Sequence, residues 1–182
     1  MRDDALSVIV CGAGDAVAAP KYLSQLRQHS PAPLRVLLTH SAMRFLQPET
    51  VRWYADEVFT AADAGLNPTE FALRSACVIV LPSTANMLAA AAYGLAGTPA
   101  QTALLSAPGP IVFFPVMNQR MWQREPVRRN VATLRADGHI VVDPPEGEVY
   151  EIWRRETTFG IALPAADQVV KIVMHRLESG DG

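Results

Sequence analysis

Cys77-Val78-Ile79-Val80-Leu81-Pro82-Ser83-Thr84-Ala85-Asn86 joins an apolar run to a turn of small hydroxyl and amide residues. The run does not alternate with polar residues and is rich in β-branched side chains, which predicts a parallel strand buried on both faces. The Ala-rich stretch Met87 to Leu95 then reads as a helix closed by Gly94 or Gly97. The same order recurs downstream. Ile111-Val112-Phe113-Phe114 is a second buried strand, and Pro115-Val116-Met117-Asn118-Gln119-Arg120-Met121-Trp122 follows it. A ligand crevice is expected beyond the ends of such strands.

Outward from this pair the unit repeats. Leu6 to Cys11 reads as a strand, Gly12-Ala13-Gly14-Asp15 as a turn and Ala16 to Arg27 as a helix whose early Pro20 is tolerated near its start. Arg35 to Leu38 is a strand, Thr39-His40-Ser41 a turn, Ala42 to Phe45 a short helix, and Pro48 to Tyr54 opens another helical turn. Thr102 to Ser106 reads as a further short strand. A helix through Val127 to Arg135 stops near Gly138, His139 to Val142 is the last strand, and Asp167 to Leu177 the last helix. Strands alternating with helices predict a three-layer αβα sandwich around a parallel Rossmann-like (flavodoxin-like) sheet, in a single domain over residues 1–182.

The chain can bury a sizeable core. Its 16 Lys and Arg against 18 Asp and Glu give a net charge of −2 without a basic stripe, which argues against nucleic acid or an anionic membrane as main partner. No apolar stretch approaches the roughly 20 residues that span a bilayer, and the N-terminus leads straight into a strand, so a cytoplasmic protein is expected. Cys11 and Cys77 lie in predicted strands at a spacing that matches neither a zinc site nor a redox pair, and read as small buried hydrophobes. The four histidines are dispersed, and no metal site is expected.

Each strand-to-helix turn offers small polar residues: Gly12 and Gly14, Thr39 and Ser41, Ser83, Thr84 and Asn86, Ser106, and Asn118. Helix N-termini expose unpaired N–H groups, so such turns suit a phosphorylated cofactor, although the same residue types are ordinary helix caps. A standard NAD site is rejected, because Val17 stands where the third Gly belongs and Asp15 would repel phosphate.

Together the two motifs carry a resemblance. Pro82-Ser83-Thr84-Ala85-Asn86 resembles the PASANT motif, and Pro115 to Trp122 the PxMNxxMW motif, of the homo-oligomeric flavin-containing cysteine decarboxylases. This family includes phosphopantothenoylcysteine decarboxylases and the peptidyl-cysteine decarboxylases that modify lanthipeptides. The resemblance implies FMN held between the subunits of a trimer, or of a dodecamer built from trimers. It implies that Gly12, Gly14, Thr39 and Ser41 line the phosphate end, that Phe45 packs near the flavin ring, and that Thr84, Asn86, Ser106 and Met117 contact the cofactor. Asn118 matches the residue associated with substrate carboxylate and catalysis, and Met121 would shape that pocket.

Two departures stand out. Members of the family carry a catalytic His in a pattern like Leu-Asn-His before the PASANT strand, and here that stretch is Leu66-Asn67-Pro68. Pro68 cannot act as a base. Another group such as His40 serves, the thiol reacts as thiolate, or the chain keeps only the flavin fold. Gly97-Thr98 also stands where an Asp or Asn is usual.

The late segment 143–163 occupies the position of the family's substrate-clamping flap. It holds no Cys, which disfavours the reductive ending of the phosphopantothenoylcysteine branch. Val149 to Arg155 looks closer to the peptide-directed members, where Arg154 or Arg155 would meet a C-terminal carboxylate through the guanidinium fork. The resemblance therefore implies oxidative decarboxylation of the C-terminal cysteine of a ribosomal precursor peptide, giving an aminoenethiol. The alternatives are a phosphopantothenoylcysteine decarboxylase, a related flavin prenyltransferase, and a non-catalytic FMN-binding regulatory subunit.

Overall fold

The computed structural model describes residues 4–179. Its elements run β1 (Ala5–Val10), a 3-10 turn (Gly14–Ala18), α1 (Ala19–His29), β2 (Leu34–Leu38), a second 3-10 turn (Ala42–Arg44), α2 (Pro48–Val51), β3 (Glu57–Thr60), α3 (Pro68–Leu73) and β4 (Ser75–Ser83). Then come α4 (Ala85–Ala92), α5 (Pro99–Leu105), β5 (Val112–Pro115), α6 (Gln119–Trp122), α7 (Glu125–Ala136), β6 (Ile140–Val141), β7 (Glu146–Glu151), β8 (Glu156–Ile161) and α8 (Ala166–Glu178).

Six parallel strands form one sheet in the order β3-β2-β1-β4-β5-β6, with β1 paired to β2 from Leu6 opposite Leu34 and to β4 from Leu6 opposite Cys77. Alternation along each buried strand feeds two cores. Val8, Val36, Ile79 and Phe114 face α1 and α8, where Leu23, Leu26, Val169 and Val173 are fully covered. Ile9, Val80 and Phe113 face the other way, onto Phe71, Leu88, Ala103 and Leu134 of α3, α4, α5 and α7. Helices therefore cover both faces, as the continuous apolar strands require. Each such buried side chain contributes roughly 1.5–3 kcal/mol of transfer free energy.

One buried cation ties the start of the sheet together. Arg35 on β2 is 4% exposed, and its Nη2 donates to Phe71 O at 2.7 Å and reaches Ser7 and Ser75 Oγ at 3.2 Å each. Its guanidinium also lies 4.9 Å from the Phe71 ring centroid. These contacts replace the water that a buried guanidinium loses.

The structure corrects the reading of Thr102 to Ser106: Thr102 to Leu105 is helical and Ser106 is the C-cap. Thr98 Oγ1 accepts from Gln101 N at 3.3 Å, Pro99 supplies the first helical residue, and Ala100, Ala103 and Leu104 bury one stripe against the second core. The half-buried edge strand β3 and the short α3 are additions to the predicted elements. Segment 143–163 contains an antiparallel hairpin, with Glu146 opposite Ile161 and Glu151 opposite Glu156.

Candidate functional site

The sheet order turns back on either side of β1, so β1 and β4 leave the sheet side by side and their following connections diverge. That is the switch point at which an open α/β sheet forms its crevice. Cys11 N donates to Pro82 O at 3.2 Å, which joins the two turns. A Cβ on Gly12 would stand 2.5 Å from Ser41 Cβ, so the β1 and β2 turns touch backbone to backbone. Thr39 Oγ1 donates to Val10 O at 3.1 Å and lies 3.3 Å from Ser41 Oγ. Gly12, Thr39 and Ser41 thus form one cluster, and half-buried Phe45 packs on the first core just beyond it.

On the β4 side, Thr84 caps α4 through Oγ1, which accepts from Met87 N at 3.3 Å, and Asn86 is exposed one residue into the helix. Thr84 also hydrogen-bonds the Cys11 thiol, but burial outweighs this and pushes that thiol up to about 12, so Cys11 is no nucleophile. Burial likewise holds Cys77 at about 11. Ser83 O accepts from Val116 N at 2.9 Å, which ties the first motif to the second. The Ser83 hydroxyl is fully buried and has no partner among the described residues.

In the second motif, Asn118 caps α6. Its Oδ1 accepts from Met121 N at 2.9 Å, while its Nδ2 has no partner among the described residues. The cap fixes the amide with its acceptor turned inward and its donor free. Met117 is half-buried on the second core beside Trp122, and Met121 is exposed.

This donor set fits a phosphorylated flavin. It is made of neutral hydroxyls, an amide, two glycines and the N–H groups at the start of α4, with the unpartnered Ser83 hydroxyl beside them. Asp15 is the adverse charge, and burial pushes its carboxyl above the ordinary carboxylate value.

Other expected groups stand elsewhere. Ser106 ends α5 and leads into β5 instead of leaving a strand, and its Oγ lies 3.3 Å from Thr69 Oγ1 on α3. The strand-to-helix turn expected there does not exist. Pro68 opens α3 behind the cap Asn67, whose Oδ1 accepts from Thr69 N and Glu70 N at 3.1 Å each. His139 Nδ1 accepts from Ile111 N at 3.2 Å, and burial lowers its pKa, so it serves the fold. His40 is exposed beside Ser41. No group of metal-ligating side chains occurs among the described residues.

The hairpin β7–β8 is tied to the second motif through Gln119 Nε2, 3.4 Å from Glu146 Oε1, and its tip reaches back to the first turn. A Cβ on Gly14 would meet Ile152 Cδ1 at 3.1 Å. Arg154 pairs with Glu151 at 3.1 Å and Glu156 at 3.5 Å and lies 4.7 Å from the Trp153 ring centroid. Arg155, at φ 58, has no ion pair among the described residues. Ser83, Gln119 and Ile152 were not assigned from sequence; Ser83 and Gln119 sit inside the quoted motifs, while Ile152 offered no local signal.

The flavoprotein family model matches residues 1–178. The chain belongs to the flavoprotein family, and its cofactor is FMN. It is 32% identical over 157 residues to the mersacidin decarboxylase of Bacillus sp. (strain HIL-Y85/54728), covering 84% of this chain and 79% of that protein. It is also 32% identical over 148 residues to the coenzyme A biosynthesis bifunctional protein CoaBC of Bacillus subtilis (strain 168), covering 78% of this chain but 36% of that longer protein. Among solved structures, the FMN-dependent cysteine decarboxylase SpaF superposes with a TM-score of 0.77 at 28% identity, covering 94% of this chain and 96% of that one. Two of these relatives are decarboxylases, and the third serves coenzyme A biosynthesis.

Proposed function

We propose that this flavoprotein oxidatively decarboxylates the C-terminal cysteine of a ribosomally made precursor peptide, giving an aminoenethiol for an S-aminovinyl-cysteine type ring. The observation that carries the reading is the Asn118 amide, oriented by its cap on α6 with an Nδ2 donor that has no partner among the described residues. When bound, FMN supplies the acceptor for the two electrons removed from the cysteine Cβ–S unit, after which the terminal carboxyl leaves as carbon dioxide.

The chain's own residues do the positioning. Asn118 Nδ2 donates to the terminal carboxylate, and a neutral amide orients it without the ion pairing that would stabilise the charged ground state over its loss. At the hairpin tip Arg155, which has no ion pair among the described residues, steers the carboxylate in before Asn118 holds it, since Arg154 is engaged by Glu151 and Glu156. Ile152, over Gly14, helps the hairpin exclude water as a substrate clamp. Met121 lines the pocket next to Asn118. Gly12, Gly14, Thr39 and Ser41 cradle the phosphate; Phe45, Thr84, Asn86 and Met117 hold the rest of the cofactor. The thiol proton leaves to His40, or to water as the thiolate forms, because Pro68 offers no base.

A homo-oligomer, trimeric or dodecameric, is part of this proposal. Exposed Tyr93, Leu95 and Leu105 support it, with Leu105 Cδ1 3.9 Å from where a Gly94 Cβ would stand. A cytoplasmic location is proposed too; among the described residues no helix is long and apolar enough to cross a membrane.

The test is anaerobic mixing of the yellow protein with short peptides. A Cys-terminated peptide bleaches the flavin band and the same peptide ending in Ser does not; equal behaviour of the two contradicts the proposal. The likeness to CoaBC supports phosphopantothenoylcysteine as the second candidate substrate, and bleaching by that compound alone would select it.

A further inference from the structure

Cys11 follows β1 at the switch point, and the reaction above leaves it unused. It is 2% exposed and packs in the second core with Met87. Its N–H donates to Pro82 O at 3.2 Å, which brings the end of β4 directly beside it. Both the N–H and the hydroxyl of Thr84 hydrogen-bond its sulfur. Thr84 itself is half-buried, as the cap of α4.

These contacts fix the polarity of one hydroxyl. A hydroxyl has one proton to donate and two lone pairs to offer. Thr84 Oγ1 accepts from Met87 N at 3.3 Å, which occupies one lone pair. A backbone N–H can only donate, so the Cys11 sulfur is the acceptor on that side, and the Thr84 proton is directed to it as well. What remains for a molecule bound beside the turn is the second lone pair. The thiol stays neutral at working pH, because burial pushes it up to about 12, so no thiolate charge enters the site.

We propose that Cys11 is a positioning residue for the cofactor: it holds the Thr84 hydroxyl as an acceptor toward the flavin, and so favours the reduced flavin over the oxidised one. Reduction adds an N–H donor to the flavin ring, and an acceptor held against the ring gains a partner only in that state. A raised potential suits a reaction that draws two electrons from a cysteine. The inference rests on the reading that sets Thr84 against the flavin, and is independent of which cysteine compound is the substrate.

The experiment measures the two-electron midpoint potential of the FMN-loaded full chain by anaerobic titration against a reference dye, with the affinity for oxidised FMN and Tm alongside. Cys11→Val removes the acceptor and keeps a side chain of similar bulk. It should lower the preference for reduced over oxidised flavin about tenfold, which is about 30 mV in potential. Cys11→Ala, smaller still, should do the same, and Cys11→Ser, with an oxygen to accept, should stay near wild type. Thr84→Val should shift the potential too, and in that background Cys11→Val should change nothing more. A role in packing alone would move Tm and both affinities together and leave the potential in place; that result in both Cys11→Val and Cys11→Ala overturns the proposal. A shift that persists in the Thr84→Val background overturns it as well. A potential that Thr84→Val leaves unchanged overturns the placing of Thr84 against the ring together with the inference. Peptide turnover enters none of these measurements, so a failure of the decarboxylase reading is seen separately.

Discussion

Gly12 and Ser41 are in backbone contact: a Cβ on residue 12 would lie 2.5 Å from Ser41 Cβ and 2.6 Å from the Ser41 carbonyl carbon. Neither distance can be relieved by turning a flexible side chain. Gly12→Ala should therefore force the β1 and β2 turns apart at a cost of roughly 1–3 kcal/mol. Each kcal/mol corresponds to about 2–4 °C in Tm for a chain of this size. FMN affinity should fall at least about tenfold with the cradle. Gly14→Ala meets only the end of Ile152 and should shift Tm far less. Thermal melts and flavin titration of the two variants separate these effects.

Asn118→Asp keeps the cap, because a carboxylate oxygen still accepts from Met121 N, but it removes the Nδ2 donor and adds a charge facing the substrate carboxylate. Folding and flavin content should be retained while turnover falls by about 10²–10³, as for loss of an oriented donor. Asn118→Ala should cost about 1 kcal/mol of stability besides, through the lost cap. Wild-type turnover in Asn118→Asp would remove this residue from the reaction.

Asp15 gives a pH signature. Burial raises its carboxyl above the ordinary 3.8, so the neutral form is the one the fold favours. Its contribution is fully present below the unfolded value and is lost as pH rises through the raised folded value. Asp15→Asn should therefore raise Tm at pH 7 and leave it nearly unchanged near pH 3, where the wild-type carboxyl is already largely neutral. Flavin affinity at pH 7 should rise with it, since a negative charge leaves the phosphate end.

Pro68→His tests whether the base is missing or relocated. Asn67 continues to cap α3 through Thr69 N and Glu70 N, so the helix start survives, at about 0.4–1 kcal/mol for the lost proline. If thiolate formation limits the native reaction, the variant should turn over faster near neutral pH and lose the rise in rate with pH. A rate that falls instead, together with a large loss in His40→Gln, would assign the proton to His40.

The central strands were legible because Cys77 to Leu81 and Ile111 to Phe114 are apolar on both faces and cannot be anything but interior. The half-buried edge strand β3, Glu57–Thr60, carries no such run. Thr102 to Ser106 misled because its local composition suits a strand, although Thr98-Pro99 was a readable helix start and Ala100, Ala103 and Leu104 have helical spacing. The turns of the candidate site were legible, since glycine, hydroxyl and amide residues follow β1, β2, β4 and β5 in the sequence. What could not be read was pairing between distant segments. Only the fold shows Gly12 against Ser41, Ile152 over Gly14, and Arg154 engaged while Arg155 has no ion pair among the described residues.

The central claim is tested most directly by mass spectrometry of Cys-terminated peptides incubated in air with the purified, flavin-loaded protein. The account predicts a loss of about 46 Da, carbon dioxide plus two hydrogens, from peptides ending in Cys and none from those ending in Ser. An unchanged peptide mass across varied Cys-terminated sequences, with flavin bound throughout, would contradict it.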